Sequence, residues 1–143
     1  MFQDMVTVFN RRDGLWYPTV IQGVHVEHSA GAGPAAYGGQ RADSVTVLVP
    51  YVPVDGAVTV AGKVYLPPKL WQKVEEPERF ITFASGEQFD FFVLGPWEET
   101  GPVSDEGWPG GFFDHLNRSR DGVFAISSAQ RFGALPHFEI VGR

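Results

Sequence analysis

With 143 residues, 17 Gly, 11 Pro, 12 Phe and no Cys, the chain has the size of one domain able to bury a core without staples, and its composition favours short strands and many turns over helices. The missing thiols exclude disulfides, thiolate metal sites and Cys nucleophiles, while the net charge of −6 opposes binding to a phosphate backbone. The whole acidic excess falls in residues 75–106, where Glu75, Glu76, Glu78, Glu87, Asp90, Glu98, Glu99, Asp105 and Glu106 face a single cation, Arg79.

Taken in chain order, residues 5–9 read as a first strand, and Asp13-Gly14 is a strong turn signal after it. Residues 15–27 form a long extended run in which Pro18 marks an edge, a bulge or two strands end to end. Residues 29–43 change character to small side chains with one aromatic, Tyr37, and such a length without a core points to a functional or disordered loop. Residues 44–51 predict a strand, and residues 58–66 a small hairpin or bulged pair around Ala61-Gly62, stopped by Pro67-Pro68. Residues 69–74 predict one helical turn with Leu70 and Trp71 as its buried contacts.

Residues 80–83 and 89–94 are two aromatic, β-branched runs joined by a short loop with Gly86, which predicts a β-hairpin as the central ribbon of the core. The apolar run from Phe91 to Leu94 is too continuous for a strand wet on one face. Residues 97–109 predict an acidic surface loop. Phe112, Phe113 and Leu116 recur at helical spacing, so a short amphipathic helix is expected at about 110–120, ended by Asp121-Gly122. Residues 123–128 and 137–141 read as the last strands. The fold expected is mainly β: a small antiparallel barrel or sandwich in one domain, 1–143, with one short helix and a long Gly/Ala-rich loop. No stretch approaches the roughly 18 consecutive apolar residues of a membrane span, and no signal-peptide pattern opens the chain, so a soluble, cytoplasmically made protein is expected.

Chemical motifs are weak. Gly31-Ala32-Gly33-Pro34-Ala35-Ala36 matches a dinucleotide loop in form, but Pro34 and Gly38-Gly39 leave no room for the helix that must face the pyrophosphate, so a mobile surface loop is preferred. His25, Glu27 and His28 resemble part of a metal set, yet the two His point to opposite faces of a strand. Asp114-His115 with Ser127 or Ser128 lacks a nucleophile elbow. Glu98, Glu99, Asp105 and Glu106 beside Trp97 and Trp108 form the best enzymatic candidate, since carboxylates with aromatic platforms suit a glycan groove; a solvated acidic face is the simpler reading. No catalytic residue, cofactor or metal is expected.

Several segments together resemble a known group. Val6-Thr7-Val8-Phe9-Asn10-Arg11 followed by Trp16-Tyr17-Pro18-Thr19-Val20-Ile21 resembles the opening of a family of small proteins encoded among the structural genes of tailed phages and prophages of Gram-positive bacteria. Ala61-Gly62-Lys63-Val64-Tyr65-Leu66-Pro67-Pro68-Lys69-Leu70-Trp71, Phe89-Asp90-Phe91-Phe92, Gly111-Phe112-Phe113-Asp114-His115-Leu116-Asn117, Val123-Phe124-Ala125-Ile126-Ser127-Ser128 and Pro136-His137-Phe138-Glu139-Ile140 extend the likeness over most of the chain. Such proteins are similar to the neck proteins that close the head and join it to the tail.

The resemblance implies a non-enzymatic virion protein, a head-closure or head-to-tail connector subunit forming a homo-oligomeric ring between portal or adaptor and tail-side neck proteins. Double-stranded DNA would pass through without tight binding, and no membrane would be involved. On that expectation Glu87, Asp90, Glu98, Glu99, Asp105 and Glu106 line the channel and repel phosphate. Gly31, Gly33, Tyr37, Gly38 and Gly39 form a gate or reach a neighbouring subunit. The alternatives are a tail-completion or minor tail protein and, from another class, a carbohydrate-binding or glycan-hydrolysing module.

Overall fold

The computed structural model describes residues 3–29 and 44–143. Their strands, in chain order, are β1 (Asp4–Arg12), β2 (Leu15–Ser29), β3 (Ser44–Pro50), β4 (Val52–Val54), β5 (Ala57–Val60), β6 (Lys63–Tyr65), β7 (Phe80–Ile81), β8 (Phe91–Leu94), β9 (Val103–Ser104), β10 (Val123–Phe132) and β11 (His137–Gly142). Two short helices, α1 (Pro68–Trp71) and α2 (Phe112–Ser119), and a 3-10 turn at Pro77–Arg79 complete the described elements. The protein is mainly β, and six antiparallel strands in the order β1-β8-β10-β11-β3-β2 close on themselves through the β1–β2 pairing. Closure removes the free edges that an open sheet of this size would expose.

The β1–β2 hairpin turns on Asp13 and Gly14, both at positive φ (52° and 75°), the pairing of a two-residue turn whose twist matches the strands. Pro18 sits inside β2 opposite Phe9. The bulge lies further on, at Gly23 with φ 72°, where the register slips between Asp4/Val24 and Met5/Gln22. That bend lets one strand pair β1 with its first half and β3 with its second.

Alternation along β3 puts Val45, Val47 and Val49 inside, where they meet Val6, Val8, Ile21, Val24, Phe92 and Ile140. The barrel interior is thus a packed core. Its remaining cover is a small sheet, β4-β5-β6-β7, that contributes Val60 and Ile81 to the same cluster. A second cluster lies outside the barrel wall: Phe9, Trp16, Phe91 and Val93 are covered by Phe112 and Leu116 of α2. Both faces of β1 and β8 are therefore buried, which accounts for the unbroken apolar run of β8.

Two expectations are corrected. Residues 80–83 and 89–94 form no hairpin: β7 pairs in parallel with β6, whereas β8 pairs with β1 and β10. Phe83 turns inward against Phe138 and Tyr65, so residues 80–83 belong to the small sheet and its cover. Leu70 is 49% exposed, and Trp71 alone anchors α1, with its indole donating to the carbonyl of Pro77 at 3.2 Å. The Gly/Ala-rich loop, with Gly31, Gly33, Tyr37, Gly38 and Gly39, lies outside the described residues.

Candidate functional site

The acidic third of the chain separates into buried and exposed groups. Asp90, expected to line a channel, is only 1% exposed and presents no charge to a lumen. Its Oδ1 accepts the amide of Arg11, and its Oδ2 accepts the amide of Ala84 and the side-chain amide of Asn10, each at 2.9 Å. The Asp90 amide in turn donates to the Ala84 carbonyl at 2.8 Å, and the Ile126 amide donates to the Asp90 carbonyl at 2.9 Å. One residue thereby ties β1, the loop 84–90, β8 and β10 together. Burial pushes its carboxyl up to about 7, against the opposing pull of those three donors and the Arg11 charge.

Asp105 is also more structural than expected. Its Oδ1 accepts the Trp16 indole at 2.7 Å and the Phe112 amide at 2.9 Å, so it fastens the start of α2 to the outer face of β2. Its other oxygen lies 3.6 Å from the Arg11 guanidinium, which also stacks over Trp16 at 5.2 Å. Glu87, Glu98, Glu99 and Glu106 are exposed, and they are the members of the expected set that face solvent with their charge.

The aromatic groups beside these acids are occupied. Trp97 meets Phe9 and Phe112 edge-on at 5.1 and 5.7 Å, and Arg120 lies over its ring at 5.8 Å. Its indole nitrogen is buried without a hydrogen-bond partner. Trp108 rests against His115 at 4.3 Å. Trp97 is packed against the second cluster, whereas Trp108 keeps 36% of its surface exposed. Asp114 pairs with Arg118 at 3.0 Å, and Ser127 donates to the Val141 carbonyl at 3.1 Å, so the imagined triad is not assembled. His25 and Glu27 do meet at 3.2 Å on one face of β2, as their spacing implies.

What the sequence reading missed is a basic groove. It encloses 660 Å³ between the β1–β2 turn, α1 and the loop 84–90, with Arg11, Arg12, Lys69, Gln72 and Gln88 in its wall. Arg12 is held there by its Nη1 donating to the carbonyls of Trp71 and Val74. Pro68, Ala84 and Ser85 also border a neighbouring cleft of 310 Å³ that runs to Arg131, over Tyr65 and Phe138. Arg11-Arg12 before a turn was the only local sign, because Lys69 reaches the groove, and Arg131 the adjoining cleft, from distant parts of the chain.

No curated protein matches the chain, and no solved structure does. Over residues 1–143 the chain matches the model described as "Family of unknown function (DUF6751)", and it belongs to that family.

Proposed function

We propose that this protein is a non-enzymatic structural component of a phage virion, a head-closure or head-to-tail connector subunit that assembles as a ring around the DNA path. The observation that carries this reading is a set of exposed carboxylates on the loops of a closed, packed barrel. Glu87, Glu98, Glu99 and Glu106 stand on exposed loops, while Arg11, Arg12 and Lys69 line a groove between the β1–β2 turn and α1. A rigid barrel supplies a fixed wall, and exposed carboxylates on it keep a phosphate backbone from adhering as DNA passes. The resemblance of the segments around Val6 to Ile21 and Ala61 to Trp71 to phage structural-cluster proteins supports the same assignment.

Disruption of the gene in a phage that carries it tests the reading. Loss of the protein is expected to leave filled heads without tails that release their DNA, with the protein itself found at the neck of wild-type particles. Virions that lack the protein, or normal virions from the disrupted phage, overturn it. Tails of altered length or tip on intact heads point instead to a tail-completion or minor tail protein.

A further inference from the structure

The basic groove and the cleft beside it adjoin each other on the surface, with Pro68, Ala84 and Ser85 bordering both. Among their wall residues, Arg11 pairs with Asp105 at 3.6 Å and Arg12 with Asp13 at 3.9 Å, whereas Lys69 and Arg131 have no ion-pair partner among the described residues, in a chain of net charge −6. β10, which contributes Ala129 and Arg131 to the cleft, is also open along part of one edge. β10 pairs with β8 only over Val123, Phe124 and Ala125, and from Ser128 to Phe132 its partner among the described residues is β11 alone. An unpaired edge beside a cationic groove takes an extended, acidic segment: backbone groups add to the edge, and the cations select the charge.

The same chain carries a segment of that kind. Residues 98–102, Glu-Glu-Thr-Gly-Pro, are all exposed, and Trp97 fixes their base against Phe9 and Phe112. The clefts that Glu98 and Glu99 border share no residue with the basic groove, so loop and groove occupy separate places on one chain.

We infer that the groove at Lys69 and the adjoining cleft at Arg131 receive the Glu98-Glu99 loop of a second copy of this chain, in a head-to-tail contact. Groove on one copy and loop on the next is a heterologous interface, the type that closes into a ring. The inference rests on the ring reading above and names its joint. It also assigns Glu98 and Glu99 to that joint, leaving Glu87 and Glu106 to face the DNA.

A charge-swap experiment on the purified full chain tests it. Wild type is expected to sediment above the 15.8 kDa chain mass, and added salt to weaken the association. Glu98→Lys with Glu99→Lys, and separately Lys69→Glu with Arg131→Glu, should each weaken self-association by more than about tenfold. All four side chains are exposed, so folding is retained. An equimolar mixture of the two variants should recover wild-type association, because opposite charges then meet at every joint. A wild type that stays monomeric at millimolar concentration, an association that neither pair alters, or a mixture without rescue overturns the contact. Virions that contain the protein and still assemble with Glu98→Lys and Glu99→Lys also overturn the contact while leaving the neck reading standing; virions without the protein overturn that reading itself.

Discussion

Asp90 and Ala84 bond to each other twice: the Ala84 amide donates to the Asp90 carboxylate at 2.9 Å, and the Asp90 amide donates to the Ala84 carbonyl at 2.8 Å. This double latch closes the loop 84–90 and positions the residues that separate the basic groove from the cleft reaching Arg131. Asp90→Asn keeps the shape but replaces one acceptor oxygen by a donor facing an N–H group. The expected loss is about 1–3 kcal/mol, larger for Asp90→Ala, read from the urea midpoint.

Asp90 also makes stability depend on pH. Its carboxyl titrates near 7 in the folded protein against an ordinary value of 3.8. Between those values the folded state holds a proton that the unfolded state has released. Stability contributed by this group therefore declines as pH rises from 3.8 to about 7 and is level above that. The decline is on the order of 4 kcal/mol at most. Urea midpoints measured across this window should show that slope in wild type and its loss in Asp90→Asn; parallel profiles for the two proteins would contradict the assignment.

Asp105 separates a hydrogen-bonding role from a charge role, because Trp16 and Phe112 both donate to one oxygen, Oδ1. Asp105→Asn retains an oxygen for both donors and loses only the half-exposed pairing with Arg11, so it should cost less than about 1 kcal/mol. Asp105→Ala leaves the Trp16 indole without its acceptor and frees the start of α2. A cost of about 1–3 kcal/mol is expected, with a changed tryptophan emission spectrum. Equal effects for the two variants would show that the charge, and not the hydrogen bonds, holds the helix.

Local signals in the sequence reached far into this fold and stopped where distant segments meet. Asp13-Gly14 and Ala61-Gly62 marked turns that need only their own backbone preferences, and Phe112, Phe113 and Leu116 marked α2 by spacing alone. The continuous run of β8 correctly demanded cover on both faces. Its partner was misread because two aromatic runs around Gly86 look like a hairpin, whereas pairing was decided by β1 and β10, which lie far away in sequence. Asp90 illustrates the limit for the site. A carboxylate among other acids reads as surface charge, and its burial follows only from donors on Asn10, Arg11 and Ala84 brought together by the closed barrel. Arg131 likewise comes to a cleft adjoining the groove of Lys69 only after β10 and α1 take their places.

Gly142, near the end of β11, is required by closeness and not by backbone freedom. A Cβ there would lie 2.5 Å from Cζ of Phe92 and 2.7 Å from Cβ of Phe124. Both neighbours sit on strands of the barrel wall, β8 and β10, and Phe92 is 1% exposed, so its ring has no empty space to enter. Gly142→Ala should therefore destabilise by about 1–3 kcal/mol through overpacking. Phe92→Leu alone destabilises by removing ring volume from the core, but in the double variant the smaller side chain vacates the site that the new methyl group needs. The two changes should then cost less together than the sum of the singles, with a coupling of about 0.5–3 kcal/mol in a double-mutant cycle from urea denaturation. Strict additivity would mean that the last strand shifts away from β8 instead of clashing with it. In that event the β10–β11 pair, and with it the open edge beside Arg131, would be the yielding part of the barrel.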